Sequence, residues 1–185
     1  MLITVADLER EPLEFDLKLD PGLIYYGPEV RQLDPLAVAG IADLIVEHRG
    51  PGETVPDIRV RAEYNARFEL ECARCVEPVE QALGGHFDLL YRPFRADGDA
   101  SEHSITTSET EIGYYQEGGL ALEDVLREQV LLSLPTRALC REDCKGLCPQ
   151  CGHDLNKEAC TCDEAPSDPR WSALAGLRSR IKPPL

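Results

Sequence analysis

The stretch IRVRAEYNARFELECARCVEP, residues 58–78, decides how the rest of the chain is read. Apolar residues fall on Ile58, Val60, Ala62, Tyr64, Ala66, Phe68 and Leu70. Polar residues stand between them: Arg59, Arg61, Glu63, Asn65, Arg67, Glu69 and Glu71. Successive side chains of a strand point to opposite faces, so this period of two predicts a half-buried β-strand. A second, less regular alternation runs through Val79, Leu83, Phe87, Leu89 and Tyr91. Only the link from Cys72 to Pro78 separates the two runs, and so short a link implies an antiparallel hairpin. Cys72 and Cys75 then sit at its tip.

Working outward, Leu13, Phe15, Leu17 and Leu19 alternate with Glu14, Asp16 and Lys18, which predicts another strand. Residues 36–46 contain three alanines and fit a helix in part. Gly40 and the β-branched Val38, Ile41, Ile45 and Val46 disfavour helix, so a strand is expected there too. Gly50, Pro51 and Gly52 mark a turn. Residues 96–118 are rich in Asp, Glu, Ser, Thr and Gly and are expected to form a flexible acidic insert. In residues 122–132 apolar positions recur every three or four, the pattern of an amphipathic helix packed on the sheet, and Pro135 ends it. A second helix is expected after Asp168 as N-cap and Pro169 in the first turn, with Trp171, Leu174, Leu177 and Ile181 as its apolar stripe.

The expected fold is α+β: an antiparallel sheet with one packed helix, a cysteine-rich zinc lobe and a C-terminal helix. The expected divisions are a sheet domain over 1–135, the lobe over 136–165 and the helix and tail over 166–185. The chain has 185 residues, 43% hydrophobic, enough to bury a core without staples. Its N-terminus carries acidic residues where a secretory signal needs a long apolar run, and no stretch is long and apolar enough for a membrane span. A soluble, cytoplasmic protein is therefore expected.

That expectation governs the eight cysteines. In a reducing compartment such a set points to metal rather than to disulfides. Zinc takes four ligands in a tetrahedron, and a Cys-x-x-Cys turn delivers two sulfurs to one ion. Two such pairs exist, Cys72/Cys75 and Cys148/Cys151, and Gly152 after the second suits the tight turn of a metal knuckle. Cys140/Cys144 and Cys160/Cys162 are looser pairs. The favoured grouping puts Cys148, Cys151, Cys160 and Cys162 in one local site and Cys72, Cys75, Cys140 and Cys144 in another. The alternative puts both knuckles on one zinc. Spacing does not choose between them, and the single residue between Cys160 and Cys162 counts against the local site.

Rival chemistries fit less well. Thiol redox work uses a low-pKa Cys-x-x-Cys at a helix start, whereas Cys72/Cys75 leads into a strand. An iron–sulfur cluster fits the spacing but has no further support. A catalytic zinc keeps an open position, usually beside His or carboxylate ligands, and His153 alone lies in the cluster. Tyr114 and Tyr115 could stack on bases, but ordinary packing accounts for them. Glu123 and Asp124 sit where they favour a helix dipole. No catalytic residue is assigned.

A formal net charge of −15 argues against a broad basic face on phosphates; its plain reading is solubility and its sharper reading is a basic protein partner. Arg170, Arg178, Arg180 and Lys182 form the candidate local basic patch for RNA.

The order of these features resembles a known family. The alternating strand ends in Leu70, Glu71, Cys72 to Cys75 and Pro78. An acidic insert and the 122–132 helix follow. Then come Leu134-Pro135, the run from Cys140 through Cys144, Cys148 and Cys151, Leu155-Asn156, and Asp168 to Trp171. This resembles the YceD family, the large ribosomal RNA subunit accumulation proteins, over residues 30–182. The run from Cys140 to Asn156 is its most specific part. The resemblance implies a non-enzymatic ribosome-biogenesis factor, needed for accumulation or processing of large-subunit (23S) ribosomal RNA. It implies large-subunit RNA or its precursor particle as partner, contacted directly or through a basic ribosomal protein. The rival readings are a zinc-stabilised protein-binding adaptor and a thiol redox enzyme.

Overall fold

The computed structural model describes residues 1–94, 96, 112–116, 118–162 and 170. The expected C-terminal helix and most of the candidate basic patch lie outside the described residues, as do residues 97–111 of the acidic insert.

In chain order the elements are β1 (Leu2–Ile3), α1 (Val5–Leu8), β2 (Leu13–Leu19), β3 (Val30–Gln32), β4 (Leu36–Gly50), β5 (Glu53–Glu71), β6 (Pro78–Pro93), β7 (Ile112–Tyr115), β8 (Leu120–Ala121) and α2 (Leu122–Ser133). β1 and β8 form a small ribbon. The main sheet runs β2-β4-β5-β6-β7, and β3 pairs β5 beyond the end of β4. β5 is the axis of this sheet. Its register with β6 runs from Ile58 opposite Tyr91 to Glu71 opposite Pro78, so the predicted hairpin is one long ribbon.

The alternation in β5 does what it predicts. Ile58, Val60, Ala62, Tyr64, Ala66, Phe68 and Leu70 are buried on one face. Across it lie Val38 and Ala42 of β4, Phe15 of β2, and Leu83, Phe87 and Tyr91 of β6. Gly40 sits mid-strand because β4 and β5 approach closely there. A Cβ at that point would collide with the Arg61 carbonyl and the Ala62 Cβ. Leu122, Val125, Leu126 and Val130 of α2 join the same core, at the three-and-four spacing of a helix face. The Tyr64 hydroxyl donates to the Gln129 carbonyl at 3.0 Å, tying helix to sheet. Leu134 is extended (φ −61°, ψ 136°) ahead of Pro135, which ends α2.

Two expectations need correction. The sheet is mixed, not wholly antiparallel, because β7 runs parallel to β6 with Leu90 opposite Ile112. Residues 94–111 separate these strands, and a parallel return needs a long connection where a hairpin does not. β7 also takes residues 112–115 out of the predicted flexible insert. The tyrosine pair lies here: Tyr115 is buried and its hydroxyl donates to the Pro56 carbonyl, while Tyr114 is exposed.

The two ends of the β5–β6 ribbon are closed differently. At the open end Arg92 reaches Asp57 through two hydrogen bonds, Nε to Oδ1 at 3.1 Å and Nη2 to Oδ2 at 3.0 Å, both residues buried. At the turn end stand the cysteines.

Candidate metal centre

The β5–β6 ribbon delivers Cys72 and Cys75 on its connecting turn. The Cys72 N–H donates to the Glu77 carbonyl at 2.9 Å, and the Val76 N–H donates back to the Cys72 carbonyl at 2.9 Å. The chain after α2 is stitched to this turn. Ala73 N–H donates to Ala138 O at 2.8 Å, and Leu147 N–H donates to Arg74 O at 3.0 Å. The stitching brings Cys140 and Cys144 over the tip. Cys72 Sγ lies 3.9 Å from Cys144 Sγ, and Cys75 Sγ lies 3.6 Å from Cys140 Sγ. All four sulfurs stand within 4.8 Å of one another. Cys72, Cys75 and Cys144 are 1%, 5% and 2% exposed, packed with Val79 and Leu139 in a small core of their own. Cys140 is exposed.

The second cluster repeats the turn. Cys148 N–H donates to His153 O at 2.8 Å, and Gly152 N–H donates to Cys148 O at 2.9 Å. Gly152 has φ 72°, the left-handed conformation that glycine adopts freely. Cys160 and Cys162 close the group, again with all four sulfurs within 4.8 Å. The one-residue spacing that counted against this site is accommodated. Cys148 is buried, Cys160 half-buried, and Cys151 and Cys162 exposed. His153 enters through its carbonyl.

All eight cysteines are free thiols. The recorded separations in the first cluster are far beyond the ~2.05 Å of a disulfide. A tetrahedral ion with bonds of about 2.3 Å to sulfur sets its ligands ~3.8 Å apart, edge to edge. The separations of 3.6 and 3.9 Å match that edge. Each cluster could therefore hold a metal ion.

Backbone donors prepare the leading sulfur of each turn. Burial alone would push the Cys72 thiol up, but the N–H groups of Cys140, Arg74 and Cys75 bring it down to about 6. The N–H groups of Cys151 and Gln150 do the same for Cys148, also to about 6. Cys144 is pushed up by burial and brought below its ordinary value by the Asn156 amide and the Gly146 N–H. Cys140 is driven up to about 12 by desolvation of its sulfur and by its three sulfur neighbours. The Cys151 sulfur, then desolvation, drives Cys162 up to about 12. Without an ion each group thus holds its charge on some sulfurs and excludes it from others, as expected where like charges share a small space.

Several residues that spacing did not single out serve these centres. The Arg74 Nη1 donates to Cys144 O at 2.5 Å and to Glu142 O at 3.2 Å. Gly146 has φ 77° and lies against the Arg74 carbonyl, where a Cβ would stand only 2.9 Å from it. Asn156 Nδ2 donates to Cys144 Sγ at 3.4 Å. Lys157 pairs with Glu77 at the hairpin tip. An arginine inside a Cys-x-x-Cys turn and an asparagine after a leucine were visible signals, but neither reveals its target without the fold.

The family model described as "Large ribosomal RNA subunit accumulation protein YceD" matches residues 60–178, well over half of the chain and all eight cysteines. The chain belongs to the YceD family. An uncharacterized protein of Mycobacterium tuberculosis is 38% identical over 107 residues, covering 58% of this chain and 49% of that protein. A chloroplastic "Large ribosomal RNA subunit accumulation protein YCED homolog 1" of Arabidopsis thaliana is 35% identical over 57 residues, 31% of this chain and 18% of the plant protein. The homolog 1 of Zea mays is 27% identical over 116 residues, 50% and 40% of the two chains. The matched part spans about half the length of the curated mycobacterial relatives. No solved structure matches the chain.

The YceD match begins inside β5 and takes in the long hairpin, α2 and both cysteine groups. Among the described residues no helix is long and apolar enough to cross a membrane.

Proposed function

We propose that this YceD-family chain is a non-enzymatic ribosome-biogenesis factor, supporting accumulation or processing of large-subunit (23S) ribosomal RNA in the cytoplasm. Membership of a family described by large ribosomal RNA subunit accumulation carries this reading. Its partner is large-subunit RNA or a precursor particle, reached directly or through a basic ribosomal protein. The net charge of −15 favours the protein route, because a basic surface is drawn to it at long range. The test is depletion of the protein in cells. Mature large-subunit RNA should fall and its precursors rise. Unchanged RNA levels and precursor profiles would overturn the reading.

Zinc is the proposed resident ion, one in each group: Cys72, Cys75, Cys140 and Cys144, and Cys148, Cys151, Cys160 and Cys162. The donor set supports it, since four thiolates within 4.8 Å of one another suit zinc and fill its coordination sphere. The ions would be structural. The first would tie the sheet domain (1–135) to the lobe (136–165), and the C-terminal segment (166–185) would carry the basic residues.

A second reading is a protein-binding adaptor with no RNA role, also favoured by the acidity. Salt-sensitive binding of the purified chain to ribosomal RNA would count against it. A thiol redox enzyme is the weakest of the three, because each Cys-x-x-Cys pair lies within 4.8 Å of two further sulfurs.

A further inference from the structure

Asn156 stands between the two cysteine groups and uses all of its hydrogen-bonding capacity there. Its Nδ2 donates to Cys144 Sγ at 3.4 Å and to Asp154 Oδ1 at 2.8 Å. Its Oδ1 accepts from the Lys145 N–H at 2.8 Å and from Arg141 Nη2 at 2.7 Å. An amide has two donor hydrogens and two acceptor lone pairs, so all four are spent. The orientation is determined by its neighbours. A flipped amide would set its oxygen against a thiolate and a carboxylate, and its NH2 against an N–H and a guanidinium.

Three of these partners, Cys144, Lys145 and Arg141, belong to the loop that supplies Cys140 and Cys144 to the first group. Asn156 itself belongs to the second group's loop, between Cys151 and Cys160. That loop is paired to the second turn by its backbone. Cys148 N–H donates to His153 O, Leu155 N–H donates to Gly146 O at 2.9 Å, and Leu147 bridges Asp154. Asn156 N–H also donates to Asp154 Oδ1 at 2.9 Å, locking the side chain to the loop's own turn.

We infer that Asn156 couples the two centres, so that an ion in the Cys148/Cys151/Cys160/Cys162 group strengthens binding in the Cys72/Cys75/Cys140/Cys144 group. The physical route is short. An ion that joins Cys151 to Cys160 closes the loop from 152 to 159 and lowers its freedom. The closed loop presents the amide to Cys144 already oriented, and the donor stabilises the charged sulfur that a metal requires. An open loop must be ordered first, which weakens the same bond. Linkage makes the effect reciprocal: filling the first group strengthens the second by the same factor. The inference rests on the metal reading proposed above and adds to it a positioning residue and cooperative loading.

The test uses the metal-free full chain and Co2+ as probe, followed through its thiolate charge-transfer bands in competition with a chromophoric chelator. Cys75→Ser leaves the second group alone to report. The double change Cys151→Ser/Cys162→Ser leaves the first group alone. Wild type is expected to take up two ions cooperatively. Asn156→Ala should weaken the first group about tenfold, and the isosteric Asn156→Asp more, by setting a carboxylate against the sulfur. Cys151→Ser/Cys162→Ser should weaken it by a similar factor. Adding Asn156→Ala to that background should weaken it by clearly less than tenfold, because the two changes cut one connection. Far-UV circular dichroism checks that each variant keeps the sheet. Two independent, non-cooperative sites in wild type would overturn the coupling and leave the metal reading standing, as would an unchanged first-group affinity in Asn156→Ala or fully additive losses. A wild-type chain that takes up no cobalt would overturn the metal reading and the coupling with it.

Discussion

Cys72 and Cys148 begin the same turn. In each, the residue four places on donates its N–H back to the cysteine carbonyl, and the cysteine N–H donates to the carbonyl five places on. In each, the residue after the second cysteine has positive φ, 63° at Val76 and 72° at Gly152. What surrounds the turns differs. The first grows out of a long β-ribbon, takes its other two sulfurs from over sixty residues away, and buries three of four cysteines. The second is built within fifteen residues (148–162) and leaves Cys151 and Cys162 exposed. One local device thus serves two tasks: closing a long-range junction between the β5–β6 turn and the chain after α2, and shaping a short loop beside it.

The largest expected effect separates the groups directly. Cys144→Ser removes a buried sulfur from the long-range junction and should lower Tm by about 10 °C, with loss of one ion. Cys162→Ser, at an exposed sulfur, should lower Tm by less than half as much. Equal losses would show that burial does not separate the two groups. Alkylation after chelation should follow the same order. Iodoacetamide should modify the exposed Cys151 at least about tenfold faster than the buried Cys75, because access limits the buried thiol. Peptide mapping by mass spectrometry reads the order.

The metal-free chain offers a pH test common to both groups. Cys72 and Cys148 are lowered from 9.0 to about 6 by backbone donors. A depressed acid stabilises the fold fully above its unfolded value and loses that contribution as pH falls through the folded one. Their contribution should therefore be complete near pH 9 and gone below about 6. Cys140 and Cys162, raised to about 12, act in the opposite sense. They should destabilise the metal-free fold progressively between 9 and 12. Thiolate absorbance should show two groups titrating near 6. Eight thiols titrating together near 9 would contradict the backbone-donor account.

The smallest effect lies in the turns themselves. Val76 is β-branched, 53% exposed and held at a φ that favours glycine. Val76→Gly should be neutral to stabilising, by up to about 1 kcal/mol, since relief of strain outweighs the added chain entropy. Gly152→Ala should cost about 1 kcal/mol, because no neighbour obstructs a Cβ there and only the backbone is strained. Chemical denaturation of the metal-loaded chain reads both. A destabilised Val76→Gly would mean that the valine side chain is held by contacts that outweigh its strain.

How far the sequence reveals this depends on length and periodicity. β5 could be read because its side chains alternate over many residues with one face buried, and Gly40 and the β-branched residues around it marked β4 as strand rather than helix. β1, β3, β8 and α1 could not be read, since two to four residues carry no period. β7 was lost inside an acidic stretch, because its pairing with β6 depends on a crossover that no local pattern announces. The sulfurs fall into the two groups of the favoured reading, but spacing did not choose between that grouping and its alternative, and only the stitching of Ala73 to Ala138 and Leu147 to Arg74 does. In the sequence Asn156 stands out only as part of the family resemblance. Its role depends on where Cys144 lies in space.

The central claim is that the eight thiols form two closed four-sulfur zinc centres, one of them joining sheet to lobe. Zinc K-edge X-ray absorption on the purified full chain, combined with metal quantitation, tests it most directly. The account predicts two ions per chain, each with four sulfurs at about 2.3 Å, and one ion with the same shell in Cys144→Ser. Nitrogen or oxygen in the wild-type first shell, a single ion per chain, or metal-free protein with disulfides would contradict it.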